Sequence, residues 1–153
     1  MEIPGLAGNY VIVAESTGDL EVQVKSLGRI HLVSGIYFYC GSAHGPGGLR
    51  ARINRHLDKD TCKFWHFDCI KKFLRIRQVW WQADEVNREC EFSGNLMRIP
   101  QAQIPLKGFG ASDCRSKCPA HLIEFKDDVD LEAIFTSLNA NRFGFNRFDM
   151  QAG

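Results

Sequence analysis

The chain has 153 residues, of which 44% are apolar and 24% are charged, and its formal net charge is +1 at pH 7. This length and composition predict one globular domain, residues 1–153, with its own buried core. No apolar run is long enough to cross a membrane, and the N-terminus lacks the basic and apolar regions of a signal peptide. We therefore expect a cytoplasmic protein without membrane contacts, whose six cysteines are free thiols or metal ligands.

The alternation of apolar residues and the positions of turn residues predict an α+β domain. In chain order, we predict strands at Asn9–Ala14, Leu20–Lys25 and Ser34–Cys40, helices at Leu49–Leu57 and Phe64–Phe73, a strand at Arg75–Ala83, a helix at Asp84–Met97 interrupted at Ser93-Gly94, a short strand at His121–Phe125 and a last helix at Asp130–Leu138. The first two strands are expected to form a hairpin. Early strands with helices interleaved later indicate a small, largely antiparallel sheet flanked by helices. The tail repeats Asn-Arg-Phe at 141–143 and 146–148, and no structure is predicted for it.

Positive charge is concentrated in one segment of this nearly neutral chain. Nine lysines and arginines but only three aspartates lie between Arg50 and Arg77. Local positive charge attracts phosphate-rich polymers, so the segment suits a surface that faces a polyanion. Taken alone, the charge is more simply explained as a solvated helix face.

A strand that carries a tyrosine is followed by a glycine-rich loop and an arginine-rich helix. Tyr39-Cys40-Gly41-Ser42-Ala43 precedes the loop 44–48, whose glycines let backbone amides approach a phosphate. The helix then places Arg52 and His56 four residues apart, on one face and opposite its apolar stripe. The planar fork of an arginine can hold two phosphoryl oxygens and stays charged. An aromatic strand and an ordinary amphipathic helix remain the alternative interpretation.

Four further elements follow this segment in order. They are Trp65-His66-Phe67-Asp68, Glu89-Cys90, Phe109-Gly110-Ala111-Ser112-Asp113-Cys114 and His121-Leu122. Together with the tyrosine strand and its helix, they resemble the GIY-YIG nuclease superfamily, and in particular a branch that is also found fused to endonuclease III-type DNA glycosylases. The resemblance runs from about Gly8 to Phe125.

The resemblance also bears on the choice of tyrosines. The family places its two tyrosines on different strands, which favours Tyr10, in Gly8-Asn9-Tyr10, together with Tyr39. The literal Gly35-Ile36-Tyr37 lies on the same strand as Tyr39, and the segment 15–33 becomes an insertion between the two halves. Tyr37 shares a sheet face with Tyr39 and stays open as an alternative.

By this resemblance, the chain is expected to be a divalent-metal-dependent endonuclease that hydrolyses nucleic-acid phosphodiester bonds in repair or processing. Tyr10 or Tyr39 would help to deprotonate the attacking water, and Arg52 would stabilise charge on the phosphoryl group. Glu89 would hold Mg²⁺ or Mn²⁺, and His66 would act as a proton-transfer or hydrogen-bonding group. Because the ordinary pKa of tyrosine is about 10, either phenol needs the cation nearby to act as a base at neutral pH.

The expected partner is nucleic acid, with DNA favoured over RNA, and the glycosylase fusions suggest an association with base-excision repair enzymes. The residues expected to contact nucleic acid are Gly41, Arg50, Arg55, His56, Lys59 and Lys63, with Lys71 and Lys72 on the same face. The alternative function is a nucleic-acid-binding module that has lost catalysis. The family's late asparagine has no clear counterpart here, although Ser112-Asp113 stands in its region.

Two residue assignments stay open. Glu91 competes with Glu89 as the metal ligand, and either acid could be a solvated helix charge. A core histidine beside Trp65 is the less favoured alternative for His66.

The cysteines raise a separate metal question. Cys114-x3-Cys118-x2-His121 has a loosely zinc-like spacing, and Cys62, Cys69 or Cys90 would be the fourth ligand. Buried thiols are the favoured interpretation, structural Zn²⁺ is the alternative, and a thiol hydrolase built on Cys114 and His121 is the weakest of the three.

Overall fold

A computed structural model describes residues 2–58, 65–111, 114–126, 129–140 and 143–150. The strands are β1 (Gly8–Ser16), β2 (Leu20–Val24), β3 (Gly28–Leu32), β4 (Gly35–Ala43), β5 (Arg75–Ala83), β6 (Leu122–Phe125) and β7 (Asn146–Asp149). The helices are α1 (Gly48–Leu57), α2 (His66–Ile70), α3 (Glu89–Met97) and α4 (Leu131–Ala140), and a 3₁₀ turn at Lys71–Phe73 extends α2. This arrangement is the predicted α+β fold with a largely antiparallel sheet.

The main sheet has five strands in the order β6-β4-β1-β5-β7, and every neighbouring pair is antiparallel. The central strand β1 pairs along its whole length with β4, from Gly8 opposite Ala43 to Ser16 opposite Gly35. Because β1 is covered on both faces and both edges, nearly all of its residues are buried. The register places Tyr10 directly opposite Gly41, which brings the two candidate tyrosine strands side by side.

Each face of the sheet supports its own hydrophobic core. On one face, Tyr10 and Ile12 pack with Leu49 and Ile53 of α1 and Phe67 of α2. The opposite face packs against α3 and α4. Its core includes Val11, Trp80, Phe92, Leu96 and Ile134. Alternation along β1 therefore sends successive side chains into two different cores.

The predicted hairpin between the first two strands is wrong. β2 pairs with β3 in a separate two-stranded sheet, with Leu20 opposite Leu32 and Val24 opposite Gly28. β1 instead finds its partners in β4 and β5, which are more distant in the sequence but long enough to match it. The small sheet contributes Val24 and Ile30 to the core beneath α2, so the inserted segment is packed against the domain.

The region of α3 also differs from the predictions. The helix predicted from Asp84 begins at Glu89, because the Asp84 carboxylate accepts a hydrogen bond from the Val86 backbone and closes a turn instead. The expected interruption at Ser93 is absent from α3. The Ser93 hydroxyl donates to the Glu89 carbonyl at 2.8 Å within the helix. The second Asn-Arg-Phe of the tail lies in β7, an edge strand paired with β5.

Within the part of the chain that the structure describes, no helix is both long and apolar enough to cross a membrane.

Replacement of Trp80 by alanine tests the core on the α3–α4 face. Trp80 is fully buried, and its ring centroid lies 5.7 Å from that of Phe38 and 5.2 Å from that of Phe135. We expect Trp80→Ala to lower the free energy of unfolding by about 3–5 kcal/mol, measured by urea denaturation. The control is Phe73→Ala, because Phe73 is 41% exposed, and it should cost about 1 kcal/mol or less. Equal losses in the two variants would contradict the assignment of this core.

Candidate active site

Tyr10 lies at the centre of the candidate site and its ring covers Gly41. A Cβ atom at Gly41 would lie 2.4 Å from the Tyr10 hydroxyl, so only glycine leaves room for this ring on the neighbouring strand. The Tyr10 hydroxyl is 2.8 Å from His56 Nε2 on α1. The ring centroid of Tyr39 is 6.5 Å from that of Tyr10 and 5.5 Å from that of His56. Both tyrosines and the histidine thus meet on one face of the sheet.

A chain of buried polar groups continues from His56 to α2. Asp68 Oδ1 lies 3.4 Å from His56 Nδ1 and 3.2 Å from Lys71 Nζ. Lys71 Nζ also donates to the Arg55 carbonyl near the end of α1 at 2.9 Å, and the Trp65 backbone N–H donates to Asp68 Oδ2 at 3.1 Å. The side chains of His56 and Asp68 are 0% exposed and that of Lys71 is 1% exposed. These contacts hold α1 and α2 together through charge and hydrogen bonds inside the core.

The environment of His56 fixes its state of protonation. Burial lowers the pKa of His56, and the Asp68 carboxylate opposes this effect. A neutral imidazole beside Asp68 carries its proton on Nδ1, which leaves the lone pair of Nε2 for the Tyr10 hydroxyl. We therefore assign Tyr10 as the donor and His56 as the acceptor of their hydrogen bond.

The two phenols are poor acids in this environment. Burial raises the pKa of Tyr10, and the nearby positive charge and hydrogen bond of Arg52 act in the opposite direction. Burial also raises the pKa of Tyr39 well above its ordinary value, and the charge of Glu89 adds to the increase. Neither phenol is ionised at neutral pH without a further positive charge or a proton acceptor.

Arg52 links the buried tyrosine to the surface. Its Nη1 donates to the Ser42 carbonyl at 2.9 Å, and its guanidinium carbon lies 4.2 Å from the centre of the Trp65 ring. Arg55 approaches the same ring at 4.9 Å. Arg52, Arg55 and Trp65 line an open pocket of about 490 Å³ together with Pro46 and Asn54. The pocket therefore combines an aromatic surface with two guanidinium groups, one of which also reaches Tyr10.

Glu89 is the first residue of α3, and its negative charge acts on both tyrosines. Its charge acts on the pKa of both Tyr10 and Tyr39, in each case in the direction that raises it. Glu91 differs, since its side chain is 50% exposed and pairs with Arg88 at 3.2 Å. The charge effect of Glu89 on the tyrosines and the surface pairing of Glu91 therefore favour Glu89 as a ligand for a cation beside the tyrosines.

Asn9 positions the start of α3. Its side chain is buried on the sheet face opposite Tyr10, where its Oδ1 accepts from the Arg88 backbone N–H at 2.9 Å. Its Nδ2 donates to Gln82 Oε1 at 2.8 Å and to the Val86 carbonyl at 2.9 Å. Arg88 directly precedes Glu89, so these bonds fix the backbone from which the Glu89 carboxylate projects.

Two candidates lie away from this centre. The Tyr37 hydroxyl donates to the Val33 carbonyl at 2.8 Å and accepts from the Val33 N–H, so Tyr10 rather than Tyr37 lies beside Arg52. His66 Nδ1 accepts from the Gly110 backbone N–H at 2.7 Å, and its ring packs against Phe109. His66 therefore supports the loop around Gly110. The resemblance instead implies a position for His66 between the cation and the phosphate.

The residues expected to contact nucleic acid occupy different environments. His56, Gly41 and Lys71 are buried, so none of them presents a surface to a polymer. Arg50 is exposed and its Nε donates to the Ile3 carbonyl at 2.9 Å, while Arg55 lines the pocket. Lys72 is also exposed, and its Nζ lies 5.1 Å from the ring centre of Phe73. Lys59, Lys63 and Ser112-Asp113 lie outside the described residues.

The position of His56 on α1 differs from the prediction. His56 was expected opposite the apolar stripe of α1, whereas the helix buries it on the same side as Ile53, because Tyr10 and Asp68 contact its ring nitrogens.

Sequence reasoning missed three residues that organise the site: Asn9, Asp68 as the partner of His56, and Lys71. A polar residue inside an apolar strand is a signal for Asn9, because a buried amide needs partners. Asp68 and Lys71 are three residues apart, which is also the spacing of an ordinary ion pair on a helix surface. Nothing in the sequence therefore predicts that both side chains are buried.

The fold and the site define an α+β domain in which a buried tyrosine–histidine pair adjoins an arginine-lined pocket. The chain belongs to the family described as domain of unknown function DUF123, whose sequence model matches residues 9–142. The match spans Tyr10, Tyr39, Arg52 and Glu89. No curated protein and no solved structure matches the chain significantly.

The pH dependence of stability tests the buried neutral state of His56. On unfolding, His56 regains an ordinary pKa of about 6.5, so as pH falls through this value the unfolded state takes up a proton that the folded state does not. The contribution of neutral His56 to stability is therefore present above about pH 6.5 and is lost as pH falls toward the lowered folded pKa. We expect the free energy of unfolding to decline more steeply from pH 7 to pH 5 in the wild type than in His56→Gln, by up to about 1.4 kcal/mol per pH unit. Urea denaturation at several pH values measures this difference, and parallel profiles would contradict it.

Proposed function

We propose that the chain is a divalent-metal-dependent endonuclease that hydrolyses phosphodiester bonds of nucleic acid, with DNA as the expected substrate. The observation that carries this proposal is the convergence of unlike groups on Tyr10. Its hydroxyl contacts His56, the Arg52 guanidinium lies beside it, and the Glu89 charge acts on it. Metal-assisted phosphodiester hydrolysis requires a proton acceptor, a positively charged side chain that binds phosphate, and a carboxylate that holds the metal ion. His56, Arg52 and Glu89 are the corresponding residues here.

The proton path follows from the hydrogen bonds of Tyr10. The attacking water gives a proton to the Tyr10 oxygen while the Tyr10 hydroxyl proton passes to His56 Nε2. Asp68 lies beside Nδ1 and stabilises the imidazolium that results. A free phenolate never accumulates in this path, which resolves the difficulty that burial raises the pKa of Tyr10. His56 starts the reaction neutral because burial lowers its pKa.

Arg52 and Glu89 act on the charge of the phosphoryl group. Arg52 is partly exposed at the pocket and its position is fixed by Ser42 and Trp65, so its guanidinium is oriented before substrate binds. The donor set at Glu89 fits a hard divalent cation, because Mg²⁺ and Mn²⁺ accept one carboxylate with water and phosphate oxygens as the other ligands. Such a cation, held by Glu89, would supply Lewis-acid stabilisation of the phosphoryl oxygens.

The pocket next to Arg52 provides a binding surface for the polymer. The Trp65 ring offers an aromatic face for a base, and Arg55 adds a second positive charge at the same place. The exposed Arg50 extends this charge along α1. A role in repair, in association with base-excision repair enzymes, is consistent with this chemistry and forms part of the proposal.

The experiment compares Glu89→Ala with Glu91→Ala. Wild-type protein is incubated with Mg²⁺ or Mn²⁺ and with branched, nicked and single-stranded DNA and with RNA, and cleavage is followed on denaturing gels. We expect Glu89→Ala to reduce cleavage by roughly 100-fold or more, because a catalytic cation contributes several kcal/mol to transition-state stabilisation. Glu91→Ala removes a carboxylate two residues away that pairs with Arg88 at the surface, so its rate should stay close to that of the wild type.

Binding measurements separate catalysis from affinity in the same variants. Glu89→Ala should bind DNA at least as tightly as the wild type, because it removes a negative charge from the neighbourhood of phosphate, whereas Arg52→Ala should bind more weakly. Wild-type protein that binds DNA and cleaves none of these substrates with either cation would establish the binding-module alternative. Equal loss of cleavage in the Glu89 and Glu91 variants would remove Glu89 from the site.

A further inference from the structure

A second group of polar side chains lies at the end of the sheet, apart from the tyrosine–histidine pair. It consists of Cys90 in the first turn of α3, Cys114 and Cys118 in the loop before β6, and His121 directly before β6. One ligand atom from each residue lies within 4.8 Å of the others. Two separate segments of the chain, the first turn of α3 and the stretch 114–121, therefore bring three sulfur atoms and one imidazole nitrogen close together.

The distances within this group match a tetrahedral metal site. Cys90 Sγ is 3.2 Å from Cys114 Sγ and 3.6 Å from His121 Nε2. A tetrahedral Zn²⁺ with bonds of about 2.3 Å to sulfur and about 2.0 Å to nitrogen separates two sulfur ligands by roughly 3.8 Å and sulfur from nitrogen by roughly 3.5 Å. To accommodate the ion, the sulfur–sulfur contact would lengthen by roughly 0.6 Å and the sulfur–nitrogen contact would shorten by roughly 0.1 Å.

The orientation of His121 provides an independent observation. Its Nδ1 lies 3.0 Å from the Gly110 carbonyl, and because a carbonyl only accepts, Nδ1 carries the proton. Nε2 then presents its lone pair toward the cysteines. His121 is 1% exposed, so this tautomer and ring orientation are fixed by the surrounding structure. A histidine that donates one ring N–H to a backbone carbonyl and offers the other nitrogen is the typical arrangement of a metal-bound histidine.

We propose that Cys90, Cys114, Cys118 and His121 bind a structural Zn²⁺ ion. Thiolate and imidazole ligands select zinc over the hard cations that suit Glu89. Four protein ligands also fill a tetrahedral coordination shell, which leaves no position for substrate and marks the site as structural. Binding releases the thiol protons of the three cysteines. Of the other two candidates for a fourth ligand, Cys69 lies in the core with α2, and Cys62 lies outside the described residues.

The ion would hold together the parts of the chain that surround the candidate active site. Cys90 follows Glu89, so a bond to zinc fixes the first turn of α3. The Gly110 carbonyl partner of His121 belongs to the loop whose N–H donates to His66, and a Cβ at Gly110 would lie 3.0 Å from the Tyr39 ring. Zinc binding therefore couples the Glu89 helix to the loop that packs on Tyr39.

A disulfide between Cys90 and Cys114 is the competing arrangement, since their sulfur atoms are 3.2 Å apart. The two arrangements differ in metal content and in the number of free thiols. A disulfide removes two thiols and binds no metal, whereas a zinc site keeps all thiols reduced and protects three of them from alkylation.

The test uses the full-length chain without an affinity tag, expressed with zinc supplied. We expect about one zinc ion per chain by elemental analysis and a matching mass increase by native mass spectrometry. Replacement by Co²⁺ should give the intense visible bands of tetrahedral thiolate coordination. Cys118→Ser should lose the metal, and Cys118→His should retain it because imidazole can replace a thiolate. Cys69→Ala is the control, because it removes a buried thiol outside the cluster and should keep full zinc content.

These measurements are independent of nuclease activity, so a failure of the proposed function leaves them interpretable. Wild-type protein with no bound zinc, or with two fewer free thiols than its reduced form, would overturn the proposal. Zinc that persists in Cys118→Ser and in Cys114→Ser would place the ion elsewhere and overturn it as well. Loss of zinc on chelation should lower the melting temperature of the wild type and leave that of zinc-free Cys118→Ser unchanged.

Discussion

The arrangement of the candidate site depends on one buried contact, the hydrogen bond between the Tyr10 hydroxyl and His56 Nε2. The contact joins the central strand of the sheet to α1, and Asp68 and Lys71 extend it to α2. Burying the four polar side chains of Tyr10, His56, Asp68 and Lys71 costs free energy unless each is paired. This series of contacts therefore stabilises the fold only when all of its members are present. These contacts fix the orientation of α1 against the sheet, and α1 in turn sets the location of Arg52.

The two faces of the sheet carry different groups. The Tyr10 face carries His56 and the arginine-lined pocket, whereas the opposite face carries the large aromatic core around Trp80. Asn9 lies on the face opposite Tyr10, and its buried side-chain amide accepts a hydrogen bond from the Arg88 backbone, directly before Glu89. Cys90 lies in the first turn of the same helix, directly after Glu89. Glu89 is therefore placed by a hydrogen-bonded amide and, in our proposal, by a metal ion.

Much of the fold could be predicted from the sequence, because β1, β4, β5 and α1 have strong apolar patterns and glycines begin β1, β4 and α1. The pairing of β2 could not, since β2 and β3 are short and the choice of partner depends on strands distant in the chain. The motif residues Tyr10, Tyr39 and Arg52 were identified by resemblance, and the structure brings them together. The burial of His56 was missed because a polar residue on a helix suggests solvent until its partners on other elements are known.

The most direct test of this account is a double-mutant cycle between Tyr10 and His56. The free energy of unfolding is measured for the wild type, Tyr10→Phe, His56→Leu and the double variant at pH 7. Each single substitution leaves a buried polar partner unpaired, and the double substitution removes both, so the losses should not add. We expect the double variant to be more stable than additivity predicts by about 1–3 kcal/mol. Additive losses within about 0.5 kcal/mol would show that the two side chains do not interact in the folded protein and would contradict the account.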